Sequence, residues 1–338
     1  MPIVPYVGTE TVLWIAEQAT FGTAIADDAA DSWHEIQSVG GKIAPDVNII
    51  DVKGDRGYRY PDVEDFHHTE DGAMPAAIIS DIPIRKTDLA RFWMLFFHNC
   101  TEGEEAPFSK TFTIPTTYPD FSANGGLFCS VIHKMPVAAS SWKINDCICQ
   151  HLNLKNSPKS VVTGSVDLVG RGATSTTADP DATQLLAPAT FFTWERMARF
   201  TYAVGGGNLS PVPYAWDLDL RWKITPAGAD GSGLFQTFIL DEFAGTFKAT
   251  LLWDANTKLL FSKLADKTAV EFNVGYGNAS AGTVDGDFDI SGHGLLNAAS
   301  IERGDTLNKE ITINLVGDEE NSKVPITIIV ADGEDKAY

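Results

Sequence analysis

Apolar and polar positions alternate most cleanly over Trp216–Ile224, WDLDLRWKI. Trp216, Leu218, Leu220, Trp222 and Ile224 fall on one face, and Asp217, Asp219, Arg221 and Lys223 on the other. Successive side chains point to opposite sides of a strand, so this pattern predicts a strand with one face in a core. Shorter stretches read the same way: Thr11–Ala16, Trp33–Ile43 (broken at Gly40-Gly41), Lys110–Ile114, Leu127–His133, Ser141–Ile144 and Cys147–Leu154. Ser160–Val169, Ala198–Val204, Ala269–Tyr276, Asn297–Glu302, Glu310–Val316 and Val324–Val330 complete the set. Gly-, Pro- and Asp-rich segments punctuate them, as over residues 277–294.

In two places the period changes from two to that of a helix. In Gly72–Asn99, Ile78, Ile79, Ile82 and Ile84 have strand chemistry. Thr87 can then cap a helix, Asp88 suits its positive end, and Leu89, Phe92, Trp93, Phe96 and Phe97 form an apolar stripe. Thr246–Asp266 repeats the arrangement: Phe247, Leu251 and Trp253 alternate, Asp254 or Asn256 can cap, and Leu259, Leu260 and Leu264 follow. Neither unit carries an obvious reactive group.

The agreement extends further. Trp33…Pro45 matches Trp216…Pro226, and Val166-Asp-Leu-Val-Gly170 matches Ile313-Asn-Leu-Val-Gly317. Elements that agree in the same order predict a duplication. The expected chain is mainly β with few helices, in two tandem domains. Residues 1–32 read as an N-terminal arm, 33–171 as the first domain with a long loop at 45–71, 172–188 as a linker and 189–338 as the second domain.

Composition supports substantial cores, with 44% hydrophobic residues. A formal net charge of -20 favours solubility and disfavours a general grip on nucleic acid. The cysteines, Cys100, Cys129, Cys147 and Cys149, form no CxxC pair and read as buried free thiols made in a reducing cytoplasm. The N-terminus lacks the basic region and apolar core of a signal peptide, and no apolar run reaches membrane-spanning length.

Candidate chemistry is sparse. Asp62, Glu64, Asp65, His67, His68, Glu70 and Asp71 offer metal-ligand types without metal-site spacing and read as a solvated loop. Asp285-Gly-Asp287-Phe-Asp289 imitates the start of a calcium loop, but Ile290 stands where Gly is required and Leu296 where a bidentate Glu is required. Only a weak cation site is left there. No GxSxG, phosphate-loop or dinucleotide fingerprint is present, and the seven histidines are scattered. No catalytic, cofactor-binding or metal residue is assigned, no cofactor is implied, and no enzyme is expected.

The opening stretch Thr11–Ala24, with Glu17-Gln-Ala-Thr-Phe21-Gly22-Thr23, resembles the N-terminal segment of phage tail tube proteins. The order of long loop, strand, single amphipathic helix and closing strands with a Leu-Val-Gly ending is similar too, over most of the chain. The resemblance implies two tandem β-sandwich or split-barrel domains, each flanked by one helix. It implies a structural virion protein, made in the host cytoplasm, that self-assembles into stacked rings: the tail tube, the conduit for DNA ejection. Three duplicated chains would supply the six domains of a ring, with a hexamer as the alternative. Implied partners are other copies of the chain, a tape measure and tail-tip or terminator proteins, with DNA passing through the lumen and no membrane. The competing reading is a carbohydrate- or receptor-binding β-sandwich module of a virion.

Overall fold

Strands dominate because most apolar positions recur with period two and bury one face of each ladder. The computed structural model describes residues 12–26, 33–36, 40–44, 48–51, 66–69, 74–84, 92–93, 95–103, 109–115, 117–123, 127–134, 141–176, 191–205, 207–228, 231, 234–266, 269–277, 287–302 and 308–331. The chain is mainly β, and its strand pairs are antiparallel.

The pairings repeat. In the first half, Val12–Gln18 pairs with His34–Ile36 and with Phe128–Lys134. Phe128–Lys134 pairs with Ser141–Asn156, which also holds Thr163–Val169 and Gly172–Thr176. Thr163–Val169 continues to Ala76–Pro83, and that strand to Gly40–Ala44. In the second half, Met197–Val204 pairs with Gly207–Leu209 and with Ala269–Tyr276. Ala269–Tyr276 pairs with Phe288–Glu302, which also holds Asn308–Leu315 and Ile326–Ala331. Asn308–Leu315 continues to Thr237–Leu252, and that strand to Pro213–Ala227. Every pairing in the first series has a counterpart in the second.

Register makes the match residue-specific. Val166 lies opposite Ile79 and Leu152, and Ile313 lies opposite Phe247 and Leu296. The two Leu-Val-Gly endings therefore occupy the same place in the scheme. The expected match of Trp33 with Trp216 fails. Gly41 lies opposite Ile79 as Leu218 lies opposite Phe247, so Gly40–Ala44 is the counterpart of the middle of Pro213–Ala227. Trp33 instead precedes the separate strand His34–Ile36, and its indole donates to the Ala26 carbonyl at 3.0 Å.

Other expectations change. Part of the expected arm belongs to the sheet: Val12–Gln18 is a ladder strand, and the buried Gln18 amide donates to Asp146 at 3.0 Å. Gly172–Thr176, expected in the linker, is a strand. Ser141–Asn156 is one strand rather than two, and Phe288–Glu302 begins inside the region expected to be loop. Asn48–Asp51 and Phe66–Thr69 form a small separate sheet, while the rest of the 45–71 loop lies outside the described residues. Within the Asp62–Asp71 cluster only this strand is described.

Phe92, Trp93, Leu95, Phe96 and Phe97 are helical and buried, whereas Thr87, Asp88 and Leu89 lie outside the described residues. The second helix, Ala255–Asp266, is capped by Asp254, whose carboxylate accepts from the Thr257 N–H at 2.7 Å. Its expected stripe is corrected: Leu260 and Thr257 are buried, but Leu259 is 53% exposed. Only a narrow face of this helix meets the sheet, so neighbouring leucines diverge.

The larger of two apolar clusters among the described residues runs through both halves. Trp93 stacks on Phe288 across them, with ring centroids 6.2 Å apart. Cys129, Cys147 and Cys149 are buried free thiols and Cys100 is partly buried. Among the described residues, no helix is long and apolar enough to cross a membrane.

Candidate functional site

The two halves meet in a ladder rather than through a loose contact. Ser141–Asn156 outlasts its partner Phe128–Lys134, whose pairing stops at Cys147. The edge left over is taken by the second half: residues 151–156 pair antiparallel with residues 216–221. The alternating sequence of each strand sorts this joint into an apolar and a polar face.

On the apolar face, Leu152 and Leu154 lie opposite Leu220 and Leu218, all buried. Asn156 and Trp216, which pair at the end of the ladder, both donate to the Tyr276 hydroxyl, at 2.6 and 3.0 Å. The Trp222 indole donates to the carbonyl of Phe96 at 2.9 Å, so the second half caps a helical carbonyl of the first. Buried polar atoms that all find partners fix register as well as adding stability.

On the polar face, His151 bridges two carboxylates from neighbouring strands. Its Nδ1 lies 3.1 Å from Asp167 and its Nε2 3.0 Å from Asp219. These hydrogen bonds, from Asp167 first and then Asp219, raise the imidazole pKa to about 9, against the opposing effect of burial. Burial works to raise Asp219, but bonds from His151 and Arg221 hold it well below the carboxylate range. Arg221 reaches Asp219 with Nε at 2.7 Å and Nη2 at 3.1 Å. Asn153 donates to Asp217 at 3.0 Å and to the Leu218 carbonyl at 3.2 Å. A cleft of about 450 Å³ closes the end of the joint, lined by Lys155, Asn156, Ser160, Trp216 and Lys248 among others.

This arrangement fastens two sheet units; it does not present a nucleophile with a free base. Both ring nitrogens of His151 are already engaged with carboxylates. The calcium-like stretch also resolves differently. Asp289 sits in a strand, where Arg199 donates to it at 3.0 Å and Asn273 at 2.8 Å. A cation is thus supplied by the chain itself; Asp285 lies outside the described residues. Among the described residues, no group of three His, Cys, Asp or Glu side chains is arranged to hold a metal ion.

Sequence reasoning found the alternation of 216–224 but not its partner. Asp167, His151 and Asp219 come from three separate strands, and nothing local marks them as neighbours. Comparison with models of known protein families finds no match, and a search of curated proteins finds none.

Proposed function

We propose that this chain is the self-assembling subunit of a phage tail tube, with three chains supplying six like sheet units to each ring. The observation that carries the reading is the ladder between residues 151–156 and 216–221. It joins two similarly paired units edge to edge, so the chain already contains one joint of the kind a ring needs. Sheet edges are pairing templates, and joining them around a ring removes them. Head-to-tail contacts between identical chains close when the rotation permits.

The repeated pairing scheme favours three chains per ring over six. The polar face of the joint interleaves Asp167, Asp217 and Asp219 with Lys155, Arg221 and Lys248. Such a face, lining a lumen, would let DNA pass without a net grip. On this reading the protein belongs to the virion tail, contacts tape-measure and tail-tip or terminator proteins, and uses the 45–71 loop between stacked rings.

Light scattering and negative-stain microscopy of the purified chain test it. The expected result is a mass near three chains, then rings and tubes as concentration rises. A strict monomer at every concentration that binds a defined sugar on a glycan array overturns the reading in favour of a receptor-binding module.

A further inference from the structure

The joint inside the chain uses two strands whose counterparts lie at the ends of the molecule's main ladder. That ladder runs Gly40–Ala44, Ala76–Pro83, Thr163–Val169, Ser141–Asn156, Pro213–Ala227, Thr237–Leu252, Asn308–Leu315 and Phe288–Glu302. By the repeated scheme, Phe288–Glu302 corresponds to Ser141–Asn156, and Gly40–Ala44 to the middle of Pro213–Ala227. Inside the chain the edges of the latter two are joined. At the ends of the ladder the equivalent edges are bare among the described residues. Phe288–Glu302 loses Ala269–Tyr276 as a partner after Leu295, and among the described residues Gly40–Ala44 pairs only with Ala76–Pro83. The strands have the barrel-like connectivity of one large sheet, yet no pairing between described residues links these two ends.

We infer that the two bare edges join between molecules: residues 296–300 of one chain pair antiparallel with residues 40–44 of a second copy. Such edges are complementary rather than identical, so the contact is head-to-tail and propagates around a ring. The internal joint supplies the register. Asn153 lies opposite Ser165 as Ala298 lies opposite Thr312, and Asn153 faces Asp219, the counterpart of Lys42. Lys42 of the second copy therefore lies opposite Ala298, Gly41 opposite Ala299 and Gly40 opposite Ser300.

A second observation supports the edge as a contact. Leu295 is the counterpart of His151, since Leu295 faces Asn314 as His151 faces Asp167. His151 is half-buried in the internal joint, but Leu295 is 44% exposed. A large apolar side chain beside a bare strand edge is what a covered joint leaves visible in the single chain. In the same register Leu296 meets Ala44 of the second copy, and Leu295 flanks the joint as the last residue paired to Ala269–Tyr276.

This inference rests on the tube reading for ring closure, and the test separates the two. Residues opposite each other across an antiparallel pair have Cα atoms about 4.5–5.5 Å apart, within the span of a disulfide. The protein to use is the full chain with Cys100→Ser, Lys42→Cys and Ala298→Cys, air-oxidised with a copper catalyst. Non-reducing gels should show dimers and trimers, with at least tenfold less in a control carrying Lys42→Cys and Glu302→Cys. Mixing chains that carry Lys42→Cys or Ala298→Cys alone should give dimers only, which guards against a misfolded double variant. Tubes that form without cross-linking above the control overturn this joint and leave the tube reading standing. Cross-linked trimers that never stack support the joint and overturn the tube reading. A disulfide closed within one chain, or a protein that stays monomeric, overturns the joint.

Discussion

Ser141–Asn156 and Phe288–Glu302 hold the same partners in the same order, but their outer faces differ. The first presents His151 between Asp167 and Asp219, riveted to the next unit. The second presents Leu295 beside Asn314, with its far edge paired up to Leu295 and bare after it among the described residues. The comparison teaches that the pairing scheme is set by the inward side chains. Val166 and Ile313, Leu152 and Leu296, and Ile79 and Phe247 are apolar in both halves. The outward positions are free to diverge, polar His151 on one strand and apolar Leu295 on the other.

The largest effect should come from removing what ties the halves together. Trp222→Ala empties a buried site and orphans the Phe96 carbonyl. It should cost about 4 kcal/mol. Urea unfolding followed by tyrosine fluorescence and circular dichroism would read the loss. A cost below about 1 kcal/mol would mean that the halves do not depend on this contact.

A sharper comparison uses the two matched glycines. A Cβ on Gly170 would sit 2.2 Å from Ile144 Cγ2 and 2.7 Å from the Asn145 carbonyl oxygen. On Gly317 the nearest atom would be the Lys323 carbonyl oxygen at 3.3 Å. Gly170→Ala should therefore cost about 2–3 kcal/mol and Gly317→Ala less than about 1 kcal/mol. Equal midpoint shifts in denaturant would show that the two endings, alike in sequence, are also equally crowded.

The smallest effect concerns pH. His151 has a folded-state pKa raised to about 9 by its two carboxylates, above the ordinary 6.5. Its stabilisation is full below about pH 6.5 and is lost as pH rises through about 9. With part of the site open to solvent, the loss should be roughly 1 kcal/mol. Denaturation midpoints measured from about pH 6 to pH 9.5 should fall in the natural chain and stay flatter in His151→Gln. Parallel slopes would assign the pH dependence to other groups. The Leu295 side of the comparison has no titrating counterpart of His151.

How much of this was legible in sequence depended on distance. The alternation of Trp216–Ile224 announced a half-buried strand, and all five apolar positions are buried. The Asp254 cap was legible because its partner, Thr257, is three residues away. The strand at 288–296 was not: Asp289, Ser291, Gly292 and Gly294 look like loop chemistry, and only tertiary packing makes a strand of them. Gly292 and Gly294 are required there because Phe272 and the Asn314 carbonyl lie within 2.4 and 2.2 Å of where a Cβ would be. Trp33 misled for the opposite reason. A tryptophan resembles another tryptophan in a sequence, whereas Trp216 lies within a ladder strand and Trp33 just ahead of a different one.

The ladder between residues 151–156 and 216–221 has a kinetic consequence. Its strands are tethered, so they meet at an effective concentration of about millimolar however dilute the protein is. Pairing between molecules has no such tether and slows with dilution. In the proposed assembly the joint within each chain would therefore form before any encounter between molecules. A peptide connection would then stand in for half of that search.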